Sequence, residues 1–167
     1  DRVVVLLADE RWVADGDKDR NERLVREALL TQNASAAEFV SLIPASGDHD
    51  NDIESVLVTL APLPEFDVVL LGMGEDAHTA SLFPCAAELA AGMTTDDDAL
   101  ITRPLSAPHT RVSLSKNRLL NTRHGMLHIV GEKKKSVLET ALHSGDEMQY
   151  PISAFVGQSG FDCWWAP

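Results

Sequence analysis

Residues 66–84 read FDVVLLGMGEDAHTASLFP, and this stretch decides how the rest of the chain is understood. Val68, Val69, Leu70 and Leu71 form an unbroken apolar run, which predicts a strand covered on both faces, as in a parallel α/β sheet. Gly72 and Gly74 then allow a tight turn with positive φ and leave backbone N–H groups open to a ligand. Ligands of open α/β sheets collect beyond the carboxyl ends of the strands, so Asp76 and His78 fall where a site is expected. A helix-compatible segment follows the histidine.

Working outward, the flanking segments alternate in the same way. Val3 to Ala8 reads as a buried strand, with Asp9, Glu10 and Arg11 at its carboxyl end as either a site edge or a solvated loop with a local ion pair. Asp19 precedes Glu22 by three residues, the spacing of a capping box, and Leu24, Val25, Ala28 and Leu29 continue at helical spacing for about three turns. Phe39 to Ile43 predicts a strand ended by Pro44, the polar run 46–52 a loop, and Ile53 to Leu60 a helix stopped by Pro62 and Pro64. Beyond Pro84 come a weak helix from Cys85, strands at Leu100 to Arg103 and Arg111 to Leu114, and a short helix from Ser115 to Leu120. A strand at Met126 to Val130, a helix from Gly131 to Leu142 and a last strand at Phe161 to Trp165 complete the pattern. Strands alternating with helices predict an α/β fold with a mainly parallel sheet, right-handed crossovers and helices on both faces.

The whole-chain quantities narrow the function classes. At 167 residues the chain suits one domain, 1–167, with a substantial core. No apolar run approaches the roughly 20 residues of a membrane helix. A net charge of -12 argues against a nucleic-acid surface, so a basic cluster has to be local. Cys85 and Cys163 give no metal-ligand spacing and no secretory signal precedes them, so reduced thiols in a cytosol are expected. Because the first residues already form a strand, an N-terminal portion is expected to be missing from the chain. Oligomeric state is left open.

Four groups stand at strand ends or helix starts: Asp9 with Arg11, Asp76 with His78, Arg111, and the lysines 133–135. Imidazole titrates near neutrality, and a neighbouring carboxylate can hold its tautomer, so His78 with Asp76 or Asp9 suits activation of a water molecule. The pattern GxSxG is absent, which disfavours a serine nucleophile. Arg111, a lysine after Gly131 and a helix start suit a phosphate. By themselves these residues support a His-centred site for an anionic ligand and go no further.

A resemblance goes further. GMGEDAHTASLFP (72–84) resembles the signature GxGxDGHTASLFP of 6-phosphogluconolactonases. DERWV (9–13) followed by DRN (19–21), RVSLS (111–115) followed by LLN (119–121), and GEKKK (131–135) resemble the family's DERxV with SN, RVTLT with LN, and GxxK, in the same order. The superfamily shares a modified Rossmann-like fold and includes glucosamine-6-phosphate deaminases. The resemblance implies hydrolysis of 6-phosphogluconolactone, a phosphorylated sugar lactone, without metal or organic cofactor. It implies His78 as general base, Asp76 and Asp9 as ordering groups, and Arg11, Asn21, Arg111 and Lys134 as substrate or phosphate contacts. Lys134 is chosen among the lysines because it lies three residues after Gly131.

The chain departs from the pattern in four places. Ala77 stands where the family has Gly, and a positive φ there would carry strain of about 1 kcal/mol. Cys85 stands for a Gly and Arg20 for the serine of SN. No GGxTP phosphate loop occurs, so phosphate is expected to bind weakly to this chain, and whether the chain is active by itself is left open. Two rival readings stay within the fold. Deaminases place a glutamate where this chain has Phe83, and a sugar-phosphate sensor would retain the cations while dispensing with the histidine.

Overall fold

The computed structural model describes residues 3–43, 52–157 and 160–167. Its elements are β1 (Val4–Leu6), β2 (Asp9–Arg11), α1 (Asn21–Ala28), β3 (Glu38–Val40), α2 (Ile53–Leu60), β4 (Phe66–Leu71) and α3 (Leu89–Thr94). They continue with β5 (Ala99–Thr102), β6 (Arg111–Leu114), α4 (Lys116–Leu120), β7 (Thr122–Val130), α5 (Glu132–Ser144) and β8 (Asp162–Ala166). Strands β1 and β3 pair in parallel, and β4, β7 and β8 form a second parallel sheet in the order β4-β7-β8. An antiparallel sheet of order β2-β6-β5 completes the set. The mixed, mainly parallel α/β fold expected from the alternation is the fold observed.

The core sits on one face of β4 and β7. Val69 and Leu71 of β4 and Leu127 and Ile129 of β7 point into it, with Val56 and Leu60 of α2 and Leu138 and Ala141 of α5 buried in the same cluster. The alternate residues Val68 and Leu70 are 55% and 62% exposed, so β4 is not covered on both faces as its apolar run predicted. Apolar composition reports tolerance for burial, and side-chain alternation decides which residues are buried. Val3 to Leu6, of β1 and the residue before it, and Leu63 to Val68, leading into β4, line a common groove of about 640 Å³.

Local signals fared unevenly. Asp52 caps α2 by accepting from the Ser55 N–H at 3.2 Å, and Ser115 caps α4 through the Arg118 N–H at 3.2 Å. The loop expected over 46–52 lies outside the described residues apart from Asp52, as does Pro44. Asp9 to Arg11 form a strand paired to β6 rather than a loop. The capping box at Asp19 does not form: the residue at the cap position is Arg20, without a side-chain cap, and α1 has eight residues. In its place Glu10, reaching from β2, accepts from the Asn21 N–H at 2.8 Å and the Glu22 N–H at 2.7 Å. A carboxylate remote in sequence has satisfied the orphan donors that a local one was expected to take. No helix follows His78 directly, since residues 79–88 are turns with an isolated bridge between Thr79 and Leu82. Among the described residues no helix is long and apolar enough to cross a membrane.

Candidate functional site

The segment after β4 is built by close packing. Neither Gly72 nor Gly74 has a positive φ; the left-handed residues are Ala77 at 64° and Ala80 at 48°. Gly74 serves close approach instead. A Cβ on it would lie 2.2 Å from both Cε1 and Nδ1 of His78 and 2.7 Å from Oδ1 of Asp76. The Gly74 N–H donates to the His78 carbonyl at 2.9 Å, Ala77 N–H donates back to the Gly74 carbonyl at 3.1 Å, and Ile152 N–H holds the Ala77 carbonyl at 3.1 Å. Thr79 Oγ1 donates to the Gly72 carbonyl at 2.8 Å and closes the loop onto the strand end. The strain foreseen at Ala77 is therefore present, in a fully buried residue.

This loop presents a histidine with a defined tautomer. Asp76 Oδ1 lies 2.5 Å from His78 Nδ1. An ionised carboxylate only accepts, so in the neutral imidazole this contact puts the proton on Nδ1 and leaves the lone pair on Nε2. The Phe83 ring stacks on the imidazole at a centroid distance of 3.8 Å and an interplanar angle of 20°.

The cations share a cavity with the histidine. His78, Asp9, Arg11, Asn21, Arg111 and Lys134 line one cavity of about 380 Å³, together with Gly72, Gly74 and Thr79. Of the seven residues selected from sequence only Asp76 does not line it, since its carboxylate sits behind the ring on Nδ1. Arg11 donates from one guanidinium nitrogen to the Asp19 carbonyl at 2.7 Å and to Asn21 Oδ1 at 3.0 Å. Asp9 Oδ2 accepts from Ser81 Oγ at 2.5 Å and lies 3.6 Å from the Arg111 guanidinium. Burial lowers the Arg111 pKa from its usual range, and the Asp9 carboxylate opposes that shift. The three lysines have different surroundings: Lys133 pairs with Glu75 at 2.5 Å and Lys135 lies 4.4 Å over the Trp165 ring, while Lys134 faces the cavity.

The departures from the family pattern also resolve. Arg20 is buried away from the cavity and donates to Glu22 Oε2 at 2.9 Å and Ser41 Oγ at 3.1 Å. Ser81, Phe83 and Glu10 support site residues and were not selected from sequence in that role. Ser81 and Phe83 lie in the quoted stretch, but their contacts cross to β2 and back onto His78, which no local spacing reveals. Among the described residues no group of three or more His, Cys, Asp or Glu side chains is placed to hold a metal ion.

Comparison with known proteins gives the family. The model of the glucosamine-6-phosphate isomerases/6-phosphogluconolactonase family matches residues 1–165. The chain belongs to that family. A 6-phosphogluconolactonase of Pseudomonas putida is 38% identical, over 99% of this chain and 69% of its own length. The crystal structure of a 6-phosphogluconolactonase from Shewanella baltica superposes with a TM-score of 0.93 at 43% identity, covering 99% of this chain and 72% of that one. The family's other branch shares the fold: a monomeric glucosamine-6-phosphate deaminase gives a TM-score of 0.74 at 16% identity, over 96% of this chain and 71% of its own.

Proposed function

We propose that the protein hydrolyses 6-phosphogluconolactone to 6-phosphogluconate, a carboxylic-ester hydrolysis of the oxidative pentose phosphate pathway. The observation that carries this reading is that His78, held at Nδ1 by Asp76, lines the same cavity as Arg11, Arg111 and Lys134. Three cations concentrated in a chain of net charge -12 match one anionic group, and the histidine matches an electrophile held beside it.

In this mechanism Nε2 of His78 takes a proton from water as the water oxygen bonds to the lactone carbonyl carbon. The carbonyl π pair moves onto oxygen, giving a tetrahedral oxyanion beside the cationic wall. Collapse re-forms the carbonyl and breaks the bond to the ring oxygen, which takes the proton back from Nε2. Water has been added across the ester and the histidine is regenerated. Asp76 keeps Nδ1 protonated and stabilises the imidazolium between the two transfers. Arg11, Arg111 and Lys134 hold the phosphate, with Asp9 and Asn21 ordering the two arginines. Phe83 fills the position at which the deaminase branch is expected to carry a glutamate, and it offers no proton-transferring group there. We place the reaction in the cytosol, a reading supported by the free thiols of Cys85 and Cys163.

The test is the initial rate of lactone hydrolysis by the purified chain, corrected for spontaneous opening. The unmodified chain is expected to exceed the spontaneous rate, and His78→Ala to lower kcat by about 10²- to 10⁴-fold with 6-phosphogluconate binding nearly unchanged. With the weak phosphate binding expected in the absence of a GGxTP loop the rate is followed up to saturating lactone; a rate equal to the spontaneous one there overturns the assignment, and an unaltered His78→Ala rate removes the histidine from the mechanism.

A further inference from the structure

The hydrogen bond from Nδ1 to Asp76 restrains His78 at one atom. Alone, it leaves the imidazole free to pivot about the Nδ1···Oδ1 line and swing Nε2 out of the cavity. Two packing contacts oppose that pivot. Gly74 abuts the Nδ1–Cε1 edge, where a Cβ would come within 2.2 Å, and the Phe83 ring lies against the imidazole face at 3.8 Å and 20°. Phe83 is itself only 3% exposed, so its ring is a fixed surface. The Arg111 guanidinium carbon lies over the same ring, 5.4 Å from its centroid.

We infer that Phe83 is a positioning residue for the reaction: its ring face sets the plane of the His78 imidazole, and with it the direction of Nε2. The inference rests on His78 acting as the base. Its contacts with both His78 and Arg111 give the ring a second effect. The first proton transfer makes His78 a cation beside the Arg111 charge until the second removes it, and an aromatic face in contact with the imidazolium attracts it electrostatically. Replacing the ring by an aliphatic side chain of similar reach removes the flat stop and that attraction together, while Asp76, Gly74 and the phosphate contacts remain. The loss should therefore appear in kcat. A misdirection of about 1 Å costs on the order of 10²-fold in rate, and a partial pivot less, so about tenfold is expected.

Three measurements test this. Phe83→Leu is expected to lower kcat about tenfold with KM within twofold, and Phe83→Tyr, which keeps the ring, to restore most of the rate. In a His78→Ala background, Phe83→Leu is expected to cause no further loss, because a residue acting through the histidine has nothing left to position. Proton NMR of the unmodified chain is expected to show the His78 ring protons shifted upfield by the ring current of Phe83, a shift that Phe83→Leu abolishes. A folded Phe83→Leu with unchanged kcat, a full tenfold loss repeated in the His78→Ala background, or unshifted His78 resonances in the unmodified chain each overturn the proposal. If Phe83→Leu fails to fold, the unmodified spectrum and Phe83→Tyr still decide. The NMR signature does not depend on turnover, so failure of the lactonase reading and failure of the stacking are told apart.

Discussion

The two walls of the cavity are held by different forces. On the histidine wall, close packing is added to the backbone hydrogen bonds of residues 72–84: a glycine with no room for a methyl group, a left-handed buried alanine and a stacked phenylalanine. On the arginine wall, Arg11 and Asn21 are fixed by polar groups radiating from Glu10. Its carboxylate is 1% exposed by residue and accepts the Arg11, Asn21 and Glu22 N–H groups at 2.7, 2.8 and 2.7 Å. In the mechanism proposed above, the difference follows from what each wall would have to do. A base must hold one atom in one direction, which steric contact does well. Phosphate-binding cations need charge placement more than angular precision, and a hydrogen-bonded frame suffices.

The largest effect should come from breaking the packed wall at its tightest point. Gly74→Ala forces a methyl group onto Cε1 and Nδ1 of His78 and onto the Asp76 carboxylate, so the pair must separate or rotate. The expected result is a fall in kcat of about 10²-fold or more with much smaller change in KM. Steady-state kinetics on the folded variant check this. A kcat within twofold of the parent would show that the histidine does not depend on this contact.

The arginine wall should respond in a different quantity. Glu10→Gln keeps the shape and one acceptor but turns an amide against backbone donors, loosening α1 and the Arg11–Asn21 pair. KM for the lactone should rise about tenfold with kcat within threefold. The stability of the two proteins should also diverge with pH. Burial raises the Glu10 carboxyl above its usual 4.5, outweighing the three backbone N–H bonds and the Arg20 charge that lower it. Because the folded pKa lies above the unfolded one, folding favours the protonated carboxyl. That stabilisation is complete below the unfolded value and is lost as pH rises through the folded value. Thermal melts from acid to neutral pH should therefore show the parent losing ground to Glu10→Gln. A constant gap between the two across that range would contradict the raised pKa.

The same contrast explains what could be read from sequence. The fold class followed from the alternation of strands and helices, because both periods are local. Site residues were legible where a strand end or motif spacing marks them: His78 follows β4, Arg111 opens β6, and Lys134 lies in the first turn of α5. What escaped were groups whose role depends on contact across the fold. Glu10 caps a helix 11 residues away, and Ser81 reaches Asp9 across 72 residues. Val68 and Leu70 were misjudged for a related reason, since an apolar run cannot say whether a second layer lies over it.

The smallest expected effect lies at Ala77, and it tests how much strain the packed wall stores. Its φ of 64° is a conformation that costs a residue with a Cβ about 1–2 kcal/mol. Ala77→Gly removes that cost. It also removes a fully buried methyl group, worth about 0.8 kcal/mol, and adds unfolded-state entropy worth about 0.5–1 kcal/mol. These terms nearly cancel, so stability should change by less than about 1 kcal/mol, or about 4 °C in Tm. Ala77→Val offers the opposite case, because a β-branched side chain in the left-handed region of a buried turn adds overpacking of about 1–3 kcal/mol to greater strain. If Ala77→Gly raised Tm well beyond that margin, the loop would store more strain than its dihedral implies. The hydrogen bonds that Ala77 donates to the Gly74 carbonyl and accepts from the Ile152 N–H would then have to be what holds it in place.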